Sequence, residues 1–415
     1  MCFTLVSKLI LIYPVMNKNL LKTSVIILVT GLLNIQFAFA QAGTNDILKS
    51  GLTDANKMMD AYASPLLKSF GAGLNSGWFN TAKPHGIGGF DITFTGNITF
   101  APTSDQSFDP NSLGLQNVKI VPGQINSTTP TIFGSSDTSK CMNMGLYARY
   151  PGATQDSLMT KFQLPAGFGY NIFAVPALQA AVGVGFGTEV AVRFFPNLSF
   201  NGINVGLYGF AIKHDFKQWI PVMKSLPFDL SAMFGYTSLS ASYKFADANQ
   251  IQGAQPSNDT YNANPSKVYN DQQISFASNA WTANVIISKK LLFFTPYLGV
   301  GYQYANTTLT MAGTFPLVTI NPNFDYTKVF VAGPGGTNIN PNYHASDPNS
   351  HPKIVQEYKD PVQVSGVLSG FKATVGFRIH LPLFTLHADY TFANYNVASI
   401  GAGINIQSIV PFHLW

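Results

Sequence analysis

The sequence has few charged residues. Only 10% of its 415 residues are Asp, Glu, Lys or Arg, whereas 46% are hydrophobic and 13% are aromatic. Soluble domains carry roughly 25% charged residues. This composition disfavours an ordinary soluble protein, and it argues against nucleic acid as a partner, since that function needs a clustered basic surface.

Long hydrophobic runs are also absent. Beyond the amino terminus, no apolar run reaches the roughly 18 residues that a membrane-spanning helix needs. The 33 Phe, 18 Tyr, 36 Gly and 25 Pro residues are typical of strands, tight turns and aromatic girdles. Because an open sheet edge cannot face hydrocarbon, a membrane protein of this composition must be a closed β-barrel.

Cysteines and catalytic motifs are scarce. Cys141 is the sole cysteine after the leader, so the mature chain can form neither an intramolecular disulfide nor a thiolate zinc site. No G-x-S-x-G or H-E-x-x-H motif marks a nucleophile or a metal site. The glycine runs at 183–187 and 299–301 precede no helix, which excludes a dinucleotide site. We therefore predict no cofactor, no metal and no enzymatic activity.

The amino terminus predicts export. Lys18 and Lys22 precede an apolar stretch that ends in Ala38-Phe39-Ala40, which is the pattern of a secretory signal peptide. We assign the signal peptide to residues 1–40, with Met16 as the true start. Its removal takes three of the 24 basic residues, leaving 21 against 19 acidic residues, so the net charge falls from +5 to +2. We expect the protein in the outer membrane of a Gram-negative bacterium.

Residues 41–86 form a second predicted region. Apolar residues recur at helical spacing from Thr44 to about Phe70, with Thr44 or Asn45 as the cap. This amphipathic segment, one helix or two short ones, either plugs the lumen of a barrel or lies beneath it as a periplasmic tail. The plug candidates are Leu48, Leu52, Met58, Met59, Leu66 and Phe70.

Strand patterns begin at Gly88 and are clearest near the carboxyl end. Apolar residues alternate with polar or charged ones from Phe371 to His380, and again from Phe384 to Phe392. Since strand side chains point alternately to opposite faces, each strand has one apolar and one polar wall. A soluble sandwich would bury the apolar wall, whereas a membrane barrel turns it to lipid and keeps the polar wall around its lumen.

The connections between strands alternate in length, as they do in bacterial barrels. Segments 289–292 and 381–382 are short. Segments 246–271 and 312–361 are long and rich in Asn, Pro, Gly and Ser, which predicts solvated loops. Other candidate strands include 114–122, 141–150, 160–172 and 178–195.

The fold class that follows is all-β. We predict a transmembrane antiparallel β-barrel over residues 87–415, with about 12 strands and a range of 10 to 14. Both termini should be periplasmic, and the helical segment should lie near or inside the periplasmic mouth.

Consistent alternation assigns a set of charged residues to the lumen. Their arrangement suits either a polar substrate path or a salt-bridged interior that holds a narrow barrel shut, because buried charges need partners. His387 and Asp389 lie roughly 7 Å apart along one strand, too far for a direct hydrogen bond without help from water. The lumen-facing candidates are Glu189, Arg193, Lys213, Asp215, Lys372, Arg378, His380, His387 and Asp389.

Several features predict partners. The chain ends in the aromatic stretch from Val410 to Trp415, which resembles the carboxyl-terminal signal of outer-membrane barrels, so we expect recognition by the barrel-assembly machinery. The connector from Lys217 to Leu226 is either a capped turn or a contact for lipid or a periplasmic partner. Aromatic residues typical of interfacial girdles, and hence of contact with outer-membrane lipid, are Phe194, Phe195, Trp281, Phe293, Phe294, Tyr302, Tyr304 and Tyr390.

Three motifs carry a closer resemblance: Gly77-Trp78-Phe79-Asn80-Thr81-Ala82, Val192-Arg193-Phe194-Phe195-Pro196, and Lys213 to Pro221 followed by Leu226-Pro227-Phe228-Asp229. With them the chain resembles an uncharacterised family of Gram-negative outer-membrane barrels, defined only as a domain of unknown function. That resemblance implies the fold and the location but no activity. A looser similarity is to channels of the long-chain fatty-acid transporter type, which combine a plug with a barrel and imply a small hydrophobic ligand.

The function predicted from these features is a passive, porin-like channel or transporter for small molecules, including hydrophobic ones. The alternative is a structural or adhesive barrel that uses its long extracellular loops. An outer-membrane hydrolase is the third class, and the absence of a catalytic motif disfavours it.

Overall fold

The computed structural model describes residues 52–148, 156–200, 202–321, 323–333, 336–339 and 346–406. The predicted signal peptide, the helix cap at Thr44 or Asn45, the plug candidate Leu48 and the terminal stretch from Val410 to Trp415 lie outside these residues.

Ten antiparallel strands form a closed barrel. Each strand pairs with its neighbours in sequence, and the last strand pairs with the first to close the ring. The predicted fold class is therefore confirmed, with a strand count at the lower end of the expected range. The ring strands are β1 (Phe90–Phe100), β2 (Ile172–Gly185), β3 (Thr188–Phe200), β4 (Ile203–Asp215), β5 (Asp229–Lys244), β6 (Gln273–Ser288), β7 (Phe294–Ala312), β8 (Val362–His380), β9 (Phe384–Phe392) and β10 (Asn396–Ile406).

Three of the predicted strands lie outside the ring. Val118–Ile120, Asn143–Ala148 and Ser157–Gln163 form a small separate sheet within the β1–β2 connection. Their inward side chains pack on the same apolar core as the amino-terminal helix. A two-residue alternation of apolar and polar residues indicates that one face of a strand is buried, but it does not indicate which sheet the strand joins.

The segment 178–195 also differs from the prediction of one strand. Its backbone reverses at Gly185, Phe186 and Gly187, all of which have positive φ, so it forms the hairpin between β2 and β3. The glycines supply a conformation that most residues avoid.

The barrel has two distinct ends. Connections 186–187, 216–228, 289–293 and 381–383 lie at what we call the short-turn end, together with the start of β1 and the end of β10. The long connections 101–171, 245–272 and 313–361 lie at the opposite, long-loop end, beside the short connections 201–202 and 393–395. The alternation that the sequence predicts over residues 246–382 is present.

Parts of the long connections are folded, whereas the sequence predicted solvated loops. Thr260–Tyr261, Lys353–Lys359 and Thr314–Ile320 form a three-stranded sheet that joins the two longest predicted loops, and we call it the loop cap. Short pairs form between Ser107–Phe108 and Thr129–Pro130 and between Phe330–Gly333 and Gly336–Ile339. The composition that suggested solvation also suits tight turns between short strands.

Helix α1 (Leu52–Leu74) lies inside the ring, where it contacts β1, β2, β7 and β8. The other α-helices, α2 (Pro221–Lys224) and α3 (Tyr326–Val329), are single turns in the connections. None of the helices in the described part of the chain is long and apolar enough to cross a membrane.

The direction in which α1 enters corrects our prediction. Its first turns bond to the long-loop end of β8, because Asn56 Oδ1 accepts from the Gln363 amide at 2.9 Å and Asp60 Oδ1 accepts from the Ser365 amide at 2.9 Å. We predicted a position near or inside the periplasmic mouth, and bacterial barrels have their short turns on that side. Helical periodicity identifies an apolar face, but it does not identify which end of the lumen that face enters.

After α1, the chain continues down the lumen to the short-turn end. We call residues Asn75–Gly89 the threaded segment. The Ala82 amide donates to Ser288 Oγ at 3.0 Å, at the last residue of β6, and β1 begins immediately after the segment leaves the barrel. The lumen is therefore occupied along its length by the residues that precede the first strand.

The two halves of the barrel have opposite polarity. In the long-loop half, α1 packs against inward apolar residues such as Leu239 and Phe276, while the outward residues include Ser240 and Asn306. In the short-turn half the charged residues face inward, and exposed Phe, Leu, Ile and Val residues face outward. The first half is arranged like a soluble barrel and the second like a membrane barrel.

The outward apolar band has the height that a membrane requires. On β8 it runs from Phe371 to Ile379, which is roughly 26 Å along a strand at about 3.3 Å per residue. At the usual tilt this spans roughly 20 Å, close to the typical apolar band of about 25 Å. The edge of the band nearer the long-loop end carries an aromatic belt, in which Trp281 stacks on Phe234 and Tyr304.

Candidate functional site

The lumen contains a buried cluster of charged residues that holds the threaded segment. The carboxyl end of α1 is the first contact, since the last carbonyls of a helix lack intrahelical partners and carry partial negative charge. Arg193 donates from Nη1 to Leu74 O and from Nη2 to Ser76 O, both at 2.8 Å. Lys372 Nζ donates to Asn75 O at 2.8 Å. Two buried cations from opposite walls thus bind the end of the helix.

The remaining terminal carbonyls of α1 also have partners. Gly71 O accepts from the Asn75 amide, Ala72 O accepts from Ser76 Oγ, and Gly73 O accepts from Asn97 Nδ2 at 3.1 Å. With Leu74 bound by Arg193, each of the last four carbonyls is satisfied. An unsatisfied buried carbonyl would be costly, so these contacts stabilise a helix end inside the barrel.

A Trp78 layer comes next along the lumen, on the side of the short-turn end. The Arg193 guanidinium stacks on the Trp78 ring at 3.7 Å from the ring centroid, and Gln179 Nε2 donates to Trp78 O at 3.1 Å. The ring fits against Gly209 and Gly235, where an added Cβ would lie 3.3 and 3.1 Å from indole atoms. The glycines therefore allow the indole to approach the barrel wall.

The lowest layer is an ion-paired group at the short-turn end. Glu189 pairs with Lys213 Nζ at 2.9 Å and with His85 Nδ1 at 2.7 Å, and it also accepts from the His85 amide at 3.0 Å. Lys213 Nζ further donates to Thr81 O at 3.4 Å. His85, Glu189 and Lys213 are all buried. A buried ion pair persists only where additional hydrogen bonds offset desolvation, and the threaded segment supplies them.

His387 and Asp389 are buried, at 3% and 9% exposure, and they bond to different partners. His387 Nε2 faces Thr95 Oγ1 at 3.4 Å, while Asp389 Oδ2 accepts from the Tyr297 hydroxyl at 2.8 Å. The structure does not bring these two residues together as a hydrogen-bonded acid–base pair. Both side chains face inward from β9, and their partners Thr95 and Tyr297 belong to the barrel wall.

The other predicted residues lie in the lumen, at the ends of strands or around α1. Arg378 is buried and donates from Nη1 to Asn80 Oδ1 at 3.3 Å. Asp215 and His380 are half-buried where their strands end. Among the plug candidates, Met58, Met59, Leu66 and Phe70 are buried in the core around α1, and Leu52 is partly buried at its start.

Sequence reasoning missed several contributors. Asp54, buried in the first turn of α1, accepts from the amides of Gln116, Asn117 and Val118 and so ties the β1–β2 connection to the helix. His85 was missed because it precedes the first strand pattern. The sole signal for this region was the Gly77 to Ala82 motif, whose residues prove to lie in the lumen.

The arrangement in this conformation is a filled interior. Most inward-facing side chains in the described part of the ring are buried, and α1 contacts six of the ring strands. No group of three or more His, Cys, Asp or Glu residues within that part is arranged to hold a metal ion. What the site visibly does is bind the chain's own amino-terminal segment.

Comparison with known proteins gives one family. A model described as a family of unknown function, DUF6588, matches residues 16–406. No curated protein matches the sequence.

Solved structures with a similar fold include three outer-membrane proteins. Ail, the attachment invasion locus protein of Yersinia pestis, has 8% identity and a TM-score of 0.22, covering 77% of this chain and 99% of Ail. The translocator domain of autotransporter NalP from Neisseria meningitidis has 9% identity and a TM-score of 0.24, covering 78% and 89%. The outer membrane transporter YddB from Escherichia coli has 12% identity and a TM-score of 0.25, covering 75% and 41%. Scores this low carry no inference about function.

Proposed function

The chain belongs to this family of unknown function, and we propose from its geometry that it is a Gram-negative outer-membrane barrel, sealed by its own amino-terminal segment, that presents a folded loop surface to an external partner. One observation carries the proposal: α1 and the threaded segment fill the lumen and are held there by buried cations and ion pairs.

Energetics favour a sealed state over a freely open channel. Met58, Leu66, Leu67 and Phe70 are almost fully buried, and removing four such side chains from the core would cost roughly 6–12 kcal/mol. Each 1.4 kcal/mol changes an equilibrium constant tenfold. At equilibrium, α1 would therefore be released in fewer than about one molecule in 10⁴. The polar contacts of the threaded segment add to that cost.

The loop cap supports the second part of the proposal. Glu357 pairs with Lys267 Nζ at 2.6 Å and accepts from the Tyr269 hydroxyl at 2.8 Å, and Asp259 pairs with Lys353 at 2.9 Å. These contacts cross between the two long connections and give them a defined surface. A fixed surface lowers the entropy lost on binding a partner, because the loops are already ordered.

Single-channel recording in planar bilayers tests the seal. The purified, folded full chain should be silent, and deletion of residues 52–74 should raise conductance. Steady conductance from the full chain would contradict the sealed barrel. Folding in both forms is checked by the heat-dependent mobility shift of barrels in gel electrophoresis.

Adhesion of cells tests the loop surface. Cells that display the full chain should bind to neighbouring cells or to a coated surface. Binding should be lost when residues 246–271 and 314–360 are replaced by short Gly-Ser turns. Replacing the connector at 216–228 in the same way is the matched control, because it lies at the short-turn end. Adhesion that survives the loop replacement would contradict a loop-mediated function.

Passive passage of small molecules, including hydrophobic ones, is the second candidate. The observation that favours it is that the threaded segment is not helical, so it can rearrange without disrupting a helix. Transport then requires this segment and α1 to move. Uptake that is unchanged in a deletion strain, across a broad panel of solutes, would count against this role.

A further inference from the structure

The short-turn end of the lumen contains a small basic cavity between the threaded segment and the barrel wall. Its volume is about 40 Å³, and its lining includes Arg378, Lys83, Lys290, His380 and Thr295. A single water needs roughly 10–15 Å³ measured in this way, so the cavity has room for about three waters or for one small oxyanion. Lys83 and Lys290 are exposed at its rim, so it can be reached from the aqueous phase.

Arg378 is the notable group in the lining. It is 5% exposed, and Nη1 is bonded to Asn80, but Nε and Nη2 have no hydrogen-bond partner among the described residues. None of the carboxylates in the described part of the chain forms a salt bridge with it within 4.0 Å. Nε–H and Nη2–H share one edge of the guanidinium, and this edge binds the two oxygens of a carboxylate or phosphate side by side.

The charge of the lining also favours an anion as the ligand. Arg378, Lys83 and Lys290 contribute three positive charges, and Asp229 is the only carboxylate among the lining residues that the structure describes. Two further buried carboxylates lie in this part of the lumen: Glu189 is bound to Lys213 and His85, and Asp91 Oδ2 lies 3.7 Å from His85 Nε2. A buried cation with a free bidentate edge is costly unless an anion or solvent pairs with it.

We propose that this cavity binds a small oxyanion of the phosphate class, with the Arg378 guanidinium as the main ligand and with Lys83 and Lys290 as rim contacts. The ligand is a solute from the compartment at the short-turn end. The lining faces the lumen, so a phosphate group of the surrounding lipid has no direct path into it. This site is independent of the loop surface, because it lies at the opposite end of the barrel.

The test uses the full chain in an uncharged detergent, with inorganic phosphate as the probe at constant ionic strength. A ligand that binds the folded state raises the unfolding temperature in a saturable way. We expect this rise in the wild type and its loss in Arg378→Gln. Lys290→Gln, an exposed change that leaves folding intact, should weaken the phosphate affinity about tenfold or more. Lys224→Gln, at the same end but outside the cavity, should respond like the wild type.

Two outcomes overturn the proposal. One is a wild type whose unfolding temperature shows no saturable rise with phosphate. The other is a phosphate affinity that is the same in Lys290→Gln as in Lys224→Gln. A second arm distinguishes the source of the oxyanion. The response to inorganic phosphate should be the same in nanodiscs of phosphatidylcholine with or without phosphatidic acid. If phosphatidic acid removes the response, a lipid headgroup occupies the cavity and the assignment to a solute is wrong.

Discussion

Replacing Arg193 with methionine tests whether this residue holds α1 and the threaded segment in the lumen. Methionine has a similar length but no charge, so it leaves Leu74 O and Ser76 O without their donors and removes the stacking on Trp78. Each buried acceptor that loses its partner costs about 1–3 kcal/mol, and the lost cation–π contact adds about 2 kcal/mol. Relief of arginine desolvation offsets part of this sum. We expect a net destabilisation of the closed state of about 3 kcal/mol.

A buried cysteine reports the release of the plug. Ser69 is fully buried in α1 and its hydroxyl has no partner among the described residues, so Ser69→Cys should be well tolerated. Cys141 is replaced by serine in this background. A loss of about 3 kcal/mol corresponds to a rise of roughly 150-fold in the rate at which a maleimide labels the introduced thiol when Arg193→Met is added, provided that opening precedes labelling.

The control and the refuting result are both specific. Lys83→Met removes an exposed cation from the threaded segment and should leave the labelling rate within about twofold. If Arg193→Met also changes the rate less than threefold while the barrel stays folded, Arg193 does not hold the plug and the reasoning fails.

Three further predictions concern packing, topology and pH. In Gly366→Ala the new Cβ would lie 2.5 Å from Leu67 Cβ and 2.9 Å from the Lys68 amide, so urea unfolding should show a loss of about 1–3 kcal/mol, whereas Gly96→Ala, whose nearest contact is at 3.9 Å, should change stability by less than about 0.5 kcal/mol. On intact cells an impermeant maleimide should label Thr53→Cys and Ser257→Cys but not Lys224→Cys; labelling of Thr53→Cys only after permeabilisation would show that α1 does not enter from the outside. Hydrogen bonds from Lys267 and Tyr269 hold the pKa of Glu357 below its usual value of 4.5, and bonds from Ser257 and Lys353 lower the pKa of Asp259. Because both pKa values are depressed in the folded loop cap, its stabilisation is complete above about pH 4.5 and is lost as the pH falls through the folded pKa values. Spin labels at Ser266 and Gln356 should therefore report a narrow distance at pH 7 that broadens progressively as the pH falls below about 4.5, and a distance that stays equally narrow down to about pH 1 would contradict this.

The sequence by itself determined the class of fold and the facing of most strand residues. The alternation from Phe371 to His380 predicts which side chains of β8 face outward and which face inward, and the burial pattern of the strand agrees with it. This succeeds because the two-residue period is a property of the extended backbone and needs no distant contact. The same holds for the helical spacing that identified the apolar face of α1.

The tertiary structure alone decided which of those segments meet. The period of residues 114–122 and 141–150 is that of strands, yet they join a small sheet, because pairing partners are chosen by the whole chain. Arg193 and Leu74 are 119 positions apart, and no local pattern relates a strand arginine to the end of a helix. Arg378 and Asn80 are likewise 298 positions apart, and only the threading of the segment through the lumen brings them into hydrogen-bond contact.

The end from which α1 enters the lumen shows the same division. Its apolar face follows from local sequence, but either end of a barrel could accept such a helix. The choice depends on Asn56 and Asp60 meeting the first amides of β8, across more than 300 positions of chain. Local periodicity therefore specified the elements and their faces, whereas long-range hydrogen bonds and ion pairs specified how the barrel is sealed, because such contacts exist only between elements that are already in place.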